Sequence, residues 1–192
     1  IKLTLGHVRL SILDLDARSN QPFVYNNSIS IVFNGEVYNY KELTEQYLSD
    51  VTLRTTSDTE VICAMYEKFG KDCVNYLNGM FAYVIYDKDK NILTGARDRL
   101  GKKPFYYWHT NEGFEFASQI KVIKYGNDMQ IDELARKFYV LQGYIPDPYC
   151  IFGGVKKLRA GEQFVYHLDS RKLKINNYWN IFDNTCGFTA PK

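Results

Sequence analysis

Three short segments of the chain carry side chains that could bind or transform a small polar molecule. Asn34 and Gly35 follow an apolar run, Arg9 lies in an alternating run near the start, and Asp58 follows a serine. The carboxamide of Asn34 and the N–H of Gly35 are the kinds of donor that an oxyanion hole requires. The same Asn-Gly pair is a strong hairpin signal, and the pattern by itself favours a turn. Both interpretations stay open at this point.

Arg9 has an ordinary interpretation and a functional one. Apolar and polar residues alternate around it, which predicts a strand with Val8, Leu10 and Ile12 on its core side. Arg9 then lies on the polar side, where most arginines are only solvated. A guanidinium also matches a carboxylate in bidentate geometry, so Arg9 is a candidate carboxylate clamp.

Asp58 begins a predicted helix. Ser57 and Glu60 form a capping-box signature, and the helix behind them ends at Gly70. An acid in the first turn is favoured by the helix dipole alone. Because Ser57 can cap the helix, the Asp58 carboxylate is available to bind a cation.

Composition excludes several classes of function. The chain has 192 residues, 45% of them hydrophobic, and its formal net charge is +2, which is typical of one soluble globular domain without affinity for nucleic acid or an anionic membrane. No apolar run is long enough to span a membrane. Three histidines and four cysteines show no metal-ligand spacing, so we expect no metal site and reduced thiols in the cytoplasm.

Hydrophobic periodicity predicts an α+β fold with many antiparallel strands. The predicted strands cover 28–33, 80–87, 91–97, 104–110, 114–118, 163–168 and 172–176, and the predicted helices cover 40–47, 58–69, 118–124 and 132–141.

Six motifs in order make the chain resemble the glutaminase domain of glutamine-hydrolysing asparagine synthetases of the bacterial type, a class II glutamine amidotransferase of the N-terminal-nucleophile hydrolase superfamily. They are HVRLSILDL (7–15), NGEVYNYKEL (34–43), SDTEV (57–61), LNGMFAYVIYD (77–87), ARDRLGKKPFYY (96–107) and YIPDPYCIFGGVKKLRAGE (144–162). The resemblance implies a four-layer αββα sandwich of two mainly antiparallel sheets, here without its N-terminal strand or strands. It also implies an amidotransferase domain at 1–180 and a linker at 181–192 towards an absent ATP-dependent synthetase domain.

The resemblance assigns roles to the candidate residues. Asn34 and Gly35 match the oxyanion-hole pair, Glu36 matches a neighbour that contacts glutamine, and Asp58 matches the acid that receives the α-ammonium group. Arg9 matches the residue that holds the α-carboxylate, and the strand lining the glutamine pocket corresponds to Arg9, Leu10, Ser11, Ile12 and Leu13.

The chain departs from the family pattern in three ways. The family nucleophile is a cysteine at the mature N-terminus, and no matching motif surrounds Cys63, Cys73, Cys150 or Cys186. We therefore expect the 192-residue chain itself to be inactive. Gln119 stands where the family usually has Glu, and Lys102 replaces a usual apolar residue; we expect both changes to be peripheral.

The implied reaction is hydrolysis of glutamine to glutamate, with ammonia passed on to amidate aspartate to asparagine. This half would need no cofactor, whereas ATP and Mg²⁺ would belong to the absent synthetase domain. The expected partners are that domain, the substrate glutamine, the product glutamate and a second subunit in a homodimer. Two alternatives remain: a related amidotransferase with another acceptor, in polysaccharide or secondary metabolism, and a degenerate module that binds glutamine or only supports structure.

Overall fold

The structure is a computed structural model that describes residues 3–8, 19–125 and 127–184. Within these residues the elements follow in the order β1 (Phe23–Tyr25), β2 (Ile29–Val37), α1 (Tyr40–Tyr47), α2 (Asp58–Phe69), a 3-10 helix (Gly70–Tyr76), β3 (Gly79–Asp87), β4 (Ile92–Arg97), β5 (Tyr106–His109), β6 (Phe114–Ala117), α3 (Ile120–Lys124), α4 (Glu133–Gln142), β7 (Val155–Lys157), β8 (Glu162–His167), β9 (Lys172–Asn177) and a second 3-10 helix (Ile181–Asn184).

The strands form two antiparallel sheets. The larger sheet has the order β1-β2-β3-β4-β8-β9 and the smaller one β6-β5-β7. Strands β2, β3 and β4 follow one another in the sequence and are hydrogen-bonded side by side, so the centre of the larger sheet is a meander. This meander carries the Asn34–Gly35 pair.

Two apolar clusters separate the layers. Ile31 and Phe33 of β2 belong to the cluster that contains Ile62 of α2, whereas Val32 belongs to the cluster between the sheets. This division follows from strand geometry, because successive side chains point to opposite faces. Across the second cluster the ring of Phe114 in β6 lies 5.2 Å from the ring of Phe164 in β8.

A third cluster covers the outer face of the smaller sheet. It joins Ile123 of α3 to Tyr106 and Trp108 of β5. Helices therefore cover the larger sheet on one side and the smaller sheet on the other. The described residues form the layers helix, sheet, sheet and helix, as the resemblance predicts.

Most predicted elements are confirmed. The helix predicted at 40–47 is α1, and the predicted hairpin becomes β3 and β4. Two strands were missed, β1 and β7, because each has three residues and is too short to show a period.

The predicted end of the strand at Asn34 is wrong. Strand β2 continues through the pair to Val37, with Asn34 opposite Ala82 and Gly35 opposite Phe81. The Asn-Gly pair is thus the inside of a strand, and the hairpin interpretation is excluded.

Of the two hydrogen bonds expected in the predicted capping box, only the one made by the Ser57 side chain forms. The Oγ of Ser57 accepts a hydrogen bond from the N–H of Thr59 at 3.2 Å, which is the expected cap. The carboxylate of Glu60 does not reach back to Ser57. It accepts instead from the N–H and hydroxyl of Thr55 at 2.6 and 2.7 Å and from the N–H of Arg54, so it holds the preceding loop.

The side assigned to Val8 is also wrong. Val8 is 98% exposed, whereas Leu3 and Leu5 pack against the cluster between the sheets. With Leu3 and Leu5 inward, alternation directs the even-numbered Val8 outward. Leu10 and Ile12 lie outside the described residues.

Candidate active site

One edge of β2 presents three backbone N–H groups in a row. The side-chain oxygen of Gln21 accepts from the N–H of Phe33 at 2.6 Å, and the Asp58 carboxylate accepts from the N–H of Val37 at 2.9 Å. Because alternate residues of a strand direct their N–H groups to the same side, the N–H of Gly35 lies between these two. Among the described residues no side chain accepts a hydrogen bond from it, which makes this N–H a candidate donor to a ligand.

The position of Gly35 requires glycine. Its φ is +147°, and a Cβ built on it would lie 2.0 Å from the carbonyl oxygen of Met80. Any side chain would collide with the backbone of β3, which is not free to move because it pairs with β2 along its length. The sequence signal of Gly35 therefore reflects close strand packing rather than a turn.

Asn34 lies next to this donor and lines a cavity. The cavity has a volume of about 1010 Å³ and lies between the two sheets, where it is also lined by Ala82, Phe116 and Ser118. The Nδ2 of Asn34 donates a hydrogen bond to the Oγ of Ser118 at 3.3 Å. A carboxamide nitrogen carries two hydrogens, so one N–H donor remains.

Asp58 and Glu36 place two acids beside the same stretch of β2. Asp58 is 4% exposed. Its carboxylate accepts a hydrogen bond from the N–H of Val37, and Glu36 is the residue directly before Val37 in the strand. Burial raises the pKa of the Asp58 carboxyl and the nearby Glu36 carboxylate raises it further, although hydrogen bonds from the N–H groups of Val37 and Thr59 oppose the rise. In the described part of the chain no Lys or Arg forms an ion pair with either acid. Among the residues that the structure describes, the site therefore has two acids and no basic side chain paired with either of them.

The predicted carboxylate clamp stays a prediction. Arg9 lies outside the described residues, and the same is true of the other members of the predicted pocket strand, Leu10, Ser11, Ile12 and Leu13. The structure thus brings Gly35 and Asp58 to the same strand edge, with Asn34 and Glu36 beside Gly35 in the sequence.

The three described cysteines are unsuited to nucleophilic attack. Cys63, Cys73 and Cys150 are buried. Burial raises the pKa of Cys63 well above its ordinary value, raises that of Cys73 to about 12 and raises that of Cys150. A thiol is a nucleophile only as the thiolate, so these three stay inert near neutral pH. Cys186 lies outside the described residues.

Asp98 is a supporting residue in the turn after β4. The buried Asp98 carboxylate accepts hydrogen bonds from the backbone N–H groups of Leu100, Lys102, Lys103 and Phe81. Since Phe81 is the residue opposite Gly35, this turn fixes the strand against which the glycine packs.

Gln119 and Lys102, the two departures from the family pattern that we expect to be peripheral, lie in different surroundings. Gln119 lines the cavity next to Ser118, and the expectation that its change is peripheral to activity stays a prediction. Lys102 contributes its backbone N–H to Asp98, a contact that any residue except proline could make. Among the described residues no cluster of His, Cys, Asp and Glu could hold a metal ion, and no helix is both long and apolar enough to cross a membrane.

A solved structure shares this architecture. It is glutamine phosphoribosylpyrophosphate amidotransferase from Bacillus subtilis, which matches with a TM-score of 0.57 and 20% sequence identity over 89% of this chain and 34% of its own. The two proteins therefore share a fold. The chain belongs to the glutamine amidotransferase domain family, whose model matches residues 1–179.

Sequence relatives narrow the resemblance. A Methanocaldococcus jannaschii protein assigned as a glutamine-hydrolysing asparagine synthetase is 40% identical over 93% of this chain and 38% of its own length. The glutamine-hydrolysing asparagine synthetase 1 of Bacillus subtilis is 40% identical over 85% of this chain and 26% of its own length. The chain thus spans less than two fifths of either relative.

Proposed function

We propose that this chain is the glutaminase part of a glutamine-hydrolysing asparagine synthetase. It binds free glutamine and releases the side-chain nitrogen as ammonia. The observation that carries the proposal is the pairing of Asn34 and Gly35 inside β2, where a side-chain N–H and a main-chain N–H are adjacent and a side chain at 35 is excluded. Such donors stabilise the negative oxygen of a tetrahedral intermediate.

The charges of the site fit the α-carbon end of glutamine. That end carries an ammonium and a carboxylate. Asp58 and Glu36 supply two acidic groups for the ammonium. Burial raises the pKa of the Asp58 carboxyl, and a bound ammonium would favour its charged form. Arg9 is the proposed partner of the carboxylate, in the bidentate geometry that a guanidinium favours.

The proposed chemistry takes its nucleophile from the family. We call the proposed complete synthetase, of which this chain would be the glutaminase part, the full-length parent. In it, a thiolate at the mature N-terminus attacks the side-chain carbonyl carbon of glutamine, and the carbonyl electron pair moves to the oxygen. Asn34 and Gly35 donate to that oxygen. When the carbonyl re-forms, nitrogen leaves as ammonia with the proton that the N-terminal amino group took from the thiol. Water then cleaves the thioester, which yields glutamate and restores the thiol.

The acceptor half lies in the proposed synthetase domain. There ATP, with Mg²⁺, would activate the side-chain carboxylate of aspartate as an adenylate, and ammonia arriving from the glutaminase part would displace AMP to give asparagine. We place this reaction in the cytoplasm, where free glutamine, aspartate and ATP are available.

Isotope transfer tests the proposal directly. The full-length parent is incubated with glutamine labelled with ¹⁵N in its side-chain amide, together with aspartate and ATP-Mg²⁺, and the products are followed by mass spectrometry. We expect glutamate and ¹⁵N-asparagine in equal amounts. D-glutamine is the matched control, since it presents its two α-charges in mirror-image positions, and it should give neither product.

The two alternatives appear as distinct outcomes. Glutamate without labelled asparagine would show that the glutaminase works but that the acceptor is another compound. No glutamate at all would contradict the glutaminase assignment and favour a module without catalytic function.

A further inference from the structure

Ser118 joins the candidate oxyanion hole to the opposite sheet. Asn34 belongs to β2 of the larger sheet, and Ser118 follows β6 of the smaller sheet, 84 residues further along the chain. The hydroxyl of Ser118 accepts one N–H of the Asn34 carboxamide at 3.3 Å, and both residues line the cavity between the sheets. This contact is the one hydrogen bond made by the Asn34 side chain within the described part of the chain.

A carboxamide donor needs such a partner to work as an oxyanion ligand. Rotation about its last side-chain bond is soft, so the group can exchange its oxygen and nitrogen at little cost. With the oxygen turned towards a developing oxyanion, it would repel the charge that it should stabilise. An anchored N–H leaves the second N–H of the same nitrogen in a defined direction.

The preceding residue gives Ser118 a defined position. Ala117 ends β6 opposite Tyr106 of β5, and its side chain packs in the cluster beneath α3. The Ser118 hydroxyl is thus attached to a strand end rather than to a long loop. It is not used to cap α3, whose N-cap residue Gln119 makes no side-chain cap bond.

We propose that Ser118 is a positioning residue for glutamine hydrolysis: its hydroxyl holds the Asn34 carboxamide so that the free N–H faces the oxyanion. This inference rests on the proposed glutaminase function and adds a residue from the second sheet to it. The hydroxyl acts through Asn34 and does not touch the reacting atoms.

The test compares three variants of the full-length parent. Ser118→Ala removes the hydroxyl, Ser118→Thr keeps it, and Ser170→Ala makes the same change at an exposed position between β8 and β9. We expect Ser118→Ala to lower kcat for glutamine hydrolysis about threefold to tenfold, the factor that one neutral hydrogen bond supplies. KM for glutamine and ammonia-dependent synthesis should stay unchanged, and Ser118→Thr and Ser170→Ala should resemble the wild type.

A double-mutant cycle tests whether Ser118 acts through Asn34. In an Asn34→Ala background the hydroxyl has no carboxamide to hold, so adding Ser118→Ala should have no further effect on kcat. The same fall in both backgrounds would overturn the proposal, as would an unchanged kcat in Ser118→Ala. A parallel loss of ammonia-dependent synthesis would assign Ser118 a structural role and also overturn it.

Glutamine hydrolysis by the wild-type parent distinguishes failure of the glutaminase function from failure of the positioning role of Ser118. If it hydrolyses glutamine and Ser118→Ala is unaffected, the positioning role fails and the glutaminase function stands. If the wild type releases no glutamate, the proposed function fails and the role of Ser118 fails with it.

Discussion

The carboxylate of Asp58 accepts a hydrogen bond from the backbone N–H of Val37 at 2.9 Å, which ties the first turn of α2 to the last residue of β2. This bond keeps the acid within the reach of the strand that carries Asn34, Gly35 and Glu36. It uses one of the two carboxylate oxygens and supplies no positive charge. A buried acid held in this way is costly for the fold and useful for binding a cation.

Replacing Asp58 with asparagine should raise the stability of the fold and abolish glutamine binding. Because the pKa of Asp58 is raised, its protonated form is favoured in the folded state, and stability is lost as pH rises through the folded pKa. Asp58→Asn removes this loss and keeps an oxygen for the Val37 N–H. We expect the free energy of unfolding at pH 7 to rise by about 0.5–2 kcal/mol while glutamine binding to the parent disappears.

Thermal unfolding and calorimetric titration with glutamine provide the two measurements. Asp89→Asn, which makes the same change at an exposed turn residue, is the matched control and should alter neither. Lower stability at pH 7 in Asp58→Asn would show that the buried charge is compensated and would contradict the electrostatic argument.

The glycine of the candidate oxyanion hole should tolerate no substitution. In Gly35→Ala the new methyl group would meet the Met80 carbonyl at 2.0 Å, and the positive φ adds backbone strain. We expect a loss of at least about 2 kcal/mol in unfolding free energy, measured with urea. Gly113→Ala is the matched control, since no atom lies within 4 Å of its added Cβ, and it should unfold like the wild type.

Native-state labelling should leave three thiols unmodified. With Cys63, Cys73 and Cys150 buried and their pKa values raised, we expect them to react with a thiol reagent at pH 8 much more slowly than a free thiol, and to react fully in denaturant. Mass spectrometry of labelled peptides identifies each site. Rapid labelling of Cys63 in the folded protein would mean that an accessible thiolate exists.

The fold should weaken at alkaline pH. Burial raises the pKa of Cys73 and of Tyr25 to about 12 each, whereas unfolded Cys and Tyr ionise near about 8.5 and 10. Their neutral forms therefore stabilise the folded state fully below those unfolded values, and the contribution is lost as pH rises towards 12. Urea unfolding between pH 8 and 11 should show the decline, and Tyr25→Phe should show a shallower one. An equally steep decline in that variant would exclude Tyr25 as a cause.

The sequence predicted the elements whose patterns are local. The period of α2 and the paired runs of β3 and β4 need no distant information, so their bounds agree with the structure to within a few residues. Asn34 and Gly35 are a case in which the local pattern predicts the wrong structure. Their local pattern is that of a turn, and what keeps them in a strand is the register with Ala82 and Phe81, almost fifty positions away.

The supporting residues of the site carry no local signal. Nothing near Ser118 indicates that its hydroxyl meets Asn34, because the contact exists only when the two sheets pack. The same is true of Gln21, whose bond to the Phe33 N–H joins a loop to a strand edge. Asp58 was found through its position in a helical first turn and through the family motif, whereas its burial and its bond to Val37 depend on the tertiary fold.

The variant Asn34→Asp of the full-length parent tests whether Asn34 stabilises the oxyanion of glutamine hydrolysis. The change keeps the size of the side chain but replaces an N–H donor with a carboxylate. Loss of one such donor costs about 10²–10³ in rate, and a like charge beside the developing oxyanion adds to the loss. We expect glutamine-dependent synthesis to fall by at least that factor, while synthesis from ammonia, which bypasses the thioester, stays near wild type. Retention of both activities would contradict the oxyanion role of Asn34.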